Sequence, residues 1–180
     1  MSIPLIRDTL YGMGQEAIAW APIAIGMATD NPTLLTIGEL SYAAFSLYAA
    51  HKSTTKAARV SNFTNAALAL AAPFTYHPLL SQQLSATTKS CLSLGISANT
   101  IARGGAEIAS VAHKAAVSAL SRYREDGAGD PSTSSYGEMI GNTLRLGLGV
   151  YRVYAGSQIF QESLAQLTTH FAQDMKNPLN

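Results

Sequence analysis

The sequence predicts an all-α protein, a bundle of about five to six helices with an N-terminal helical hairpin and a long amphipathic C-terminal helix. Strand signals are scarce, because no period-2 alternation bounded by Asn-Gly or Asp-Gly turns is sustained anywhere. Ala, Leu, Gln and Met recur through long windows, and apolar residues return at spacings of three and four. At 180 residues the chain fits one domain, 1–180, that can bury a core without disulfides or metals.

The first helix is expected from Ile3 to Ala28, bent or split at Pro22, which lacks a backbone N–H. It closes at "TDNPT". There the Asn31 side chain can cap orphan N–H groups, and Pro32 sits where none is needed. A second helix, Thr33 to His51, carries Leu34, Ile37, Leu40, Ala44, Leu47 and Tyr48 on one face. That face needs a partner, and the first helix is the nearest. Residues 1–59 therefore read as an antiparallel hairpin closed at Asp30 to Pro32.

"HKSTTKAARV" gathers His51, Lys52, Lys56 and Arg59, and a third helix follows through "NFTNAALALAA". The two prolines of "PFTYHPLL" force a turn before the chain resumes in "LLSQQLSATTKSCLSLGISANTIA", with a kink expected near Gly104-Gly105. The alanine-rich stretch "AEIASVAHKAAVSALSRYR" lines Ile108, Val111, Ala112, Ala115, Ala119 and Leu120 along one side, open to close approach by a neighbour.

"REDGAGDPSTSS", Arg124 to Ser135, is the clearest loop, and a sub-division into 1–123 and 136–180 falls there if two parts exist. Asp130-Pro131 repeats the cap logic, and Ser135 with Glu138 matches a capping box that starts the last helix. In that helix Val153, Phe160, Leu164, Leu167, Phe171 and Met175 form the strongest periodic stripe, the expected interaction face. Gly137, Gly141, Gly147, Gly149 and Gly156 are candidate close-packing positions, for the core or for self-association.

Charged residues make up only 13% of the chain, half the usual share, and Ser, Thr, Gly, Asn and Gln take their place. Such a surface suits burial against a partner, a membrane interface or another copy. With 12 Lys+Arg against 11 Asp+Glu there is no global field to draw the chain to nucleic acid. The lone Cys91 cannot form an internal disulfide, and the N-terminus lacks a basic region before its apolar run. Classical secretion is not expected, which leaves membrane-associated or cytoplasmic locations.

Chemistry is thin. His51, His77, His113 and His170 are far apart, so no local spacing builds a metal site. "GMGQEA" matches G-x-G-x-x-A without a strand or a βαβ unit around it, and "NFT" is a glycosylation acceptor only in form. Nucleophile-elbow and phosphate-loop motifs are absent. Glu16, Glu39, Glu107, Glu138 and Glu162 fall singly on different helices, none with His three residues on, which rules out a carboxylate-bridged di-metal bundle. The expectation is a non-enzymatic helical subunit of a larger, membrane-associated or soluble complex, without cofactor or metal. Two alternatives stand beside it. A small multi-pass membrane protein, such as a channel or translocation component, is supported by the basic-flanked hairpin from Arg7 to Arg59, although Arg145 and Arg152 disfavour a span in the last helix. A soluble bundle around an apolar ligand would need a cavity.

Overall fold

The computed structural model describes residues 3–124 and 136–176, with side chains over 4–120 and 136–173. Among these residues the chain is all-α: α1 (Ile3–Met13), α2 (Gln15–Ala28), α3 (Pro32–Lys52), α4 (Lys56–Ala71), the single turn α5 (Pro73–Tyr76), α6 (Ala86–Arg124) and α7 (Tyr136–Lys176). A 3-10 turn at Ser81–Gln83 joins α5 to α6. The expected signals of Asp130, Pro131 and Ser135 fall outside the described residues.

Two long helices form the spine. At 1.5 Å per residue, the 39 residues of α6 and the 41 of α7 reach about 60 Å, and they pack against each other in antiparallel fashion. Their seam is built from small side chains seven residues apart: Ser90, Ser97 and Gly104 on α6 are buried against Gly149, Gly156 and Ser163 on α7. A Cβ on Gly104 would lie 2.6 Å from the Gly149 carbonyl oxygen, and one on Gly156 would lie 3.1 Å from that of Ser97. A repeat of seven keeps one seam facing its neighbour over many turns, and small residues set the spacing short. No break occurs at Gly104-Gly105, because Gly104 serves this contact and α6 runs through it.

The N-terminal helix breaks at Gly14 and not at Pro22. Gly14 has φ +75°, a conformation glycine adopts without a steric penalty, whereas α2 passes through Pro22 unbroken. The hairpin is thus α2 with α3, closed as expected by Asn31, whose side chain accepts hydrogen bonds from the N–H groups of Thr33 (3.1 Å) and Leu34 (3.0 Å). The first segment, α1, packs instead on the N-terminal half of α7, where Gly12 and Gly141 meet backbone to backbone. Next, α4 returns along α3 and reaches α6 through Asn99, which donates to Asn65 at 2.9 Å.

A further expectation is overturned. The face Leu34, Ile37, Leu40, Ala44, Leu47 and Tyr48 does not pack on the preceding helix but is exposed. The buried face of α3 is Gly38, Tyr42, Ala43, Ser46 and Ala50. Backbone proximity decides this: a Cβ on Gly26 would meet Leu35 Cα at 2.6 Å, and one on Gly38 would meet Ile23 N at 2.7 Å. Helices that approach this closely mate through small residues, and branched side chains are left outside.

The same inversion holds across the molecule. Of the eleven buried hydrophobic residues among those described, eight are alanines, and only Trp20, Ile23 and Tyr42 are larger. Meanwhile 24 large hydrophobic residues among those described are exposed, including Ile18 and Ile25 on α2 and Val60, Phe63 and Leu70 on α4. Among the described residues no helix is long and apolar enough to cross a membrane.

Candidate functional site

The centre of the molecule is charged. Arg152 on α7 is 1% exposed and Glu107 on α6 is 3% exposed, so both have left water almost completely. Burial of an ion costs several kcal/mol unless partners replace its hydration, and the fold supplies them from four helices. The Arg152 guanidinium lies 3.2 Å from Glu107 Oε1 and 3.3 Å from Glu16 Oε1, and it stacks 4.4 Å from the centre of the Trp20 ring. Arginine suits this position because its planar, weakly hydrated group can pair and stack at once.

Glu16 is the hub. It stands in the first turn of α2, just past the Gly14 break, where the helix dipole favours an anion. Its Oε1 accepts from Tyr42 Oη at 3.1 Å, and Arg103 Nη1 reaches Oε2 at 3.2 Å. Arg103 extends the network to α4, donating from Nη2 to Ser61 Oγ at 2.7 Å. Burial and the neighbouring Glu16 carboxylate push the Tyr42 phenol up to about 12, so Tyr42 remains a protonated donor.

Glu107 is the least satisfied member. Neither of its carboxylate oxygens has an aligned hydrogen bond among the described residues, nor do Arg152 Nε and Arg145 Nε. Burial raises the Glu107 pKa, against the pull of Arg152. On α3, Glu39 behaves similarly: burial pushes it up to about 8, opposed by the more distant Arg152 charge. No group of three metal-ligating side chains occurs among the described residues. What the network does physically is tie α2, α3, α6 and α7 into one arrangement, since each charge finds its partner only there.

The expected interaction face on α7 flanks the seam. Val153, Phe160 and Leu167 are half-buried, Leu164 and Phe171 are exposed, and the Met175 side chain lies outside the described set. The helix's most buried positions there are Arg152, Ala155, Gly156 and Ser163. Of the glycines, Gly137 meets Leu5 and Asp8, Gly141 meets Thr9 and Gly12, Gly149 meets Gly104, and Gly156 meets Ile101. Gly147 faces open space. The charged centre was missed because Glu16, Glu107 and Arg152 are 136 residues apart at the extremes. One signal was available: Arg152 is an isolated charge in the apolar, glycine-rich "LGLGVYRVYAG", the setting in which a charge turns inward to a partner.

Comparison with protein-family models, curated proteins and solved structures finds no match to this chain.

Proposed function

We propose that this protein is a non-enzymatic helical interaction subunit whose aliphatic exterior is covered within a larger assembly. The observation that carries the reading is the inverted polarity: alanine, glycine, serine and a paired charge network inside, and isoleucine, leucine, valine and phenylalanine outside. Large exposed apolar area is costly in water at roughly 25 cal/mol per Å², and in soluble proteins extended apolar patches mark surfaces that bind. The exposed stripes also fall at regular helical spacing, so they form continuous ridges and not scattered single residues.

The charge network supports the same role. A surface that docks must hold its shape before the partner arrives, and a buried network with partners on four helices fixes their relative positions. Sequential extraction of the expressed protein with high salt, carbonate and detergent tests the reading. Recovery in a complex, or from membranes by detergent alone, is the expected outcome. Release into plain buffer as a single, unassociated chain would refute it.

A further inference from the structure

The outer faces of α2, α3 and α4 carry three neighbouring apolar stripes, and their chemistry constrains what covers them. On α3 the outward residues from Leu34 to Tyr48 are all apolar except Ser41 and the Tyr48 hydroxyl. A protein footprint needs about one hydrogen bond per 100–200 Å² and concentrates its energy in Trp, Tyr and Arg. These ridges are mostly aliphatic, with Ile37, Leu40 and Leu47 on α3 and Val60 and Leu70 on α4, and the aromatics Tyr48 and Phe63 beside them.

Charge is layered along the same ridges. From Leu40 to Ala106 the sequence has no Asp or Glu. The basic residues His51, Lys52, Lys56 and Arg59 are all exposed and collect at the α3–α4 turn, at one end of both stripes. Lys52 follows Tyr48 by one helical turn, its ammonium 5.9 Å from the centre of that ring. Beside the α4 stripe runs an open apolar groove lined by Leu70, Phe74, Leu84 and Leu92, with Cys91 exposed along it. Aliphatic ridges that end in an acid-free basic cluster match hydrocarbon bordered by anionic headgroups.

Resting on the interaction-subunit reading above, we propose that the α2–α4 face lies on an anionic lipid bilayer. Its aliphatic stripes enter the boundary between headgroups and acyl chains, and the α3–α4 turn meets lipid phosphates. It lies on the bilayer and does not cross it, in keeping with the absence of a crossing-length apolar helix among the described residues.

Vesicle flotation of the full chain tests this with two compositions, phosphatidylcholine alone and phosphatidylcholine mixed with phosphatidylserine. The protein is expected to float with the mixed vesicles and much less with the neutral ones, and added salt should weaken binding. The double variant K52E/K56E should lower partitioning by about tenfold or more, since each basic residue near such a surface contributes about a factor of five. Ile37→Asp with Leu47→Asp should abolish flotation while the thermal melt stays close to that of the parent. A polarity-sensitive fluorophore on Cys91 should shift to the blue only with the mixed vesicles. No flotation of the folded parent, or equal flotation of K52E/K56E, would overturn the lipid proposal. Light scattering on the same sample separates the two readings: a particle larger than one chain that does not float keeps the assembly reading and removes the lipid, whereas a non-floating single chain removes both.

Discussion

The two faces of α3 make opposite use of their residues. Inward, Gly38, Ala43, Ser46 and Ala50 let α2 and α4 come close, and the one large residue, Tyr42, ends its reach on a carboxylate. Outward, Leu34, Ile37, Leu40 and Leu47 are exposed. In an ordinary soluble bundle the branched residues would fill the core and the small polar ones would face water. If the exposed stripe docks as proposed, the folding surface and the docking surface of this helix are separate, so substitutions on the two faces should fail in different ways.

The largest effect is expected where the inside is charged. Arg152→Met leaves Glu107 buried without a counter-charge and should cost about 3–5 kcal/mol in urea unfolding. Adding Glu107→Leu should return most of that loss, because Glu16 retains Arg103 and an apolar pair can replace a buried ion pair. A single variant as stable as the parent would place Arg152 in solvent and dissolve the contrast between centre and exterior.

Backbone proximity gives the next test. A side chain at Gly141 would run into the Thr9 carbonyl oxygen, and neither backbone can yield, so Gly141→Val should cost about 1–3 kcal/mol. Gly147, on the same helix with nothing near it, should tolerate alanine and gain up to about 1 kcal/mol from helix propensity. Equal melting shifts for the two would show that α1 does not pack on α7 here.

The α3 faces themselves can be compared directly. Ala43→Gln, at 1% exposure, forces a long polar side chain into the contact and should lower stability by about 1–3 kcal/mol. Leu40→Gln, outside, should shift the melt by no more than about 0.5 kcal/mol while weakening association. A large melting loss for Leu40→Gln in the isolated chain would mean that the stripe is core.

A separate test is pH dependence. In the folded chain Glu39 holds its proton up to about 8, against an ordinary value of 4.5. As pH rises through that window the unfolded chain releases the proton first, so the folded state binds more protons and stability falls, levelling off above about 8. Glu39→Gln should flatten this decline and be more stable than the parent at pH 8. An unchanged pH profile would indicate that Glu39 is solvated in the folded chain.

Helix positions were legible in the sequence wherever a local chemical signal existed. Asn31-Pro32 closes the α2–α3 turn, as its Asn cap and Pro start predict. The direction of burial was not legible on α3, because close backbone approach turns its small residues inward and leaves the branched stripe exposed. Gly26 and Gly38, twelve residues apart on facing helices, carried the opposite information, since each needs a backbone against it. The break at Gly14 was hidden beneath the stronger prior for Pro22. Pairings such as Glu16 with Arg152, or Ser97 with Gly156, depend on how α6 and α7 lie against the N-terminal helices, and no local spacing encodes that.

The claim beneath all of these is that the aliphatic exterior is a covered surface. Its most direct measurement is the mass of the purified full-length chain by light scattering in detergent-free buffer, across a range of protein concentrations. The account predicts a particle larger than one chain, or a chain that stays in solution only with detergent, lipid or a co-purifying partner. A monodisperse single chain, stable at high concentration without any of these, would contradict it.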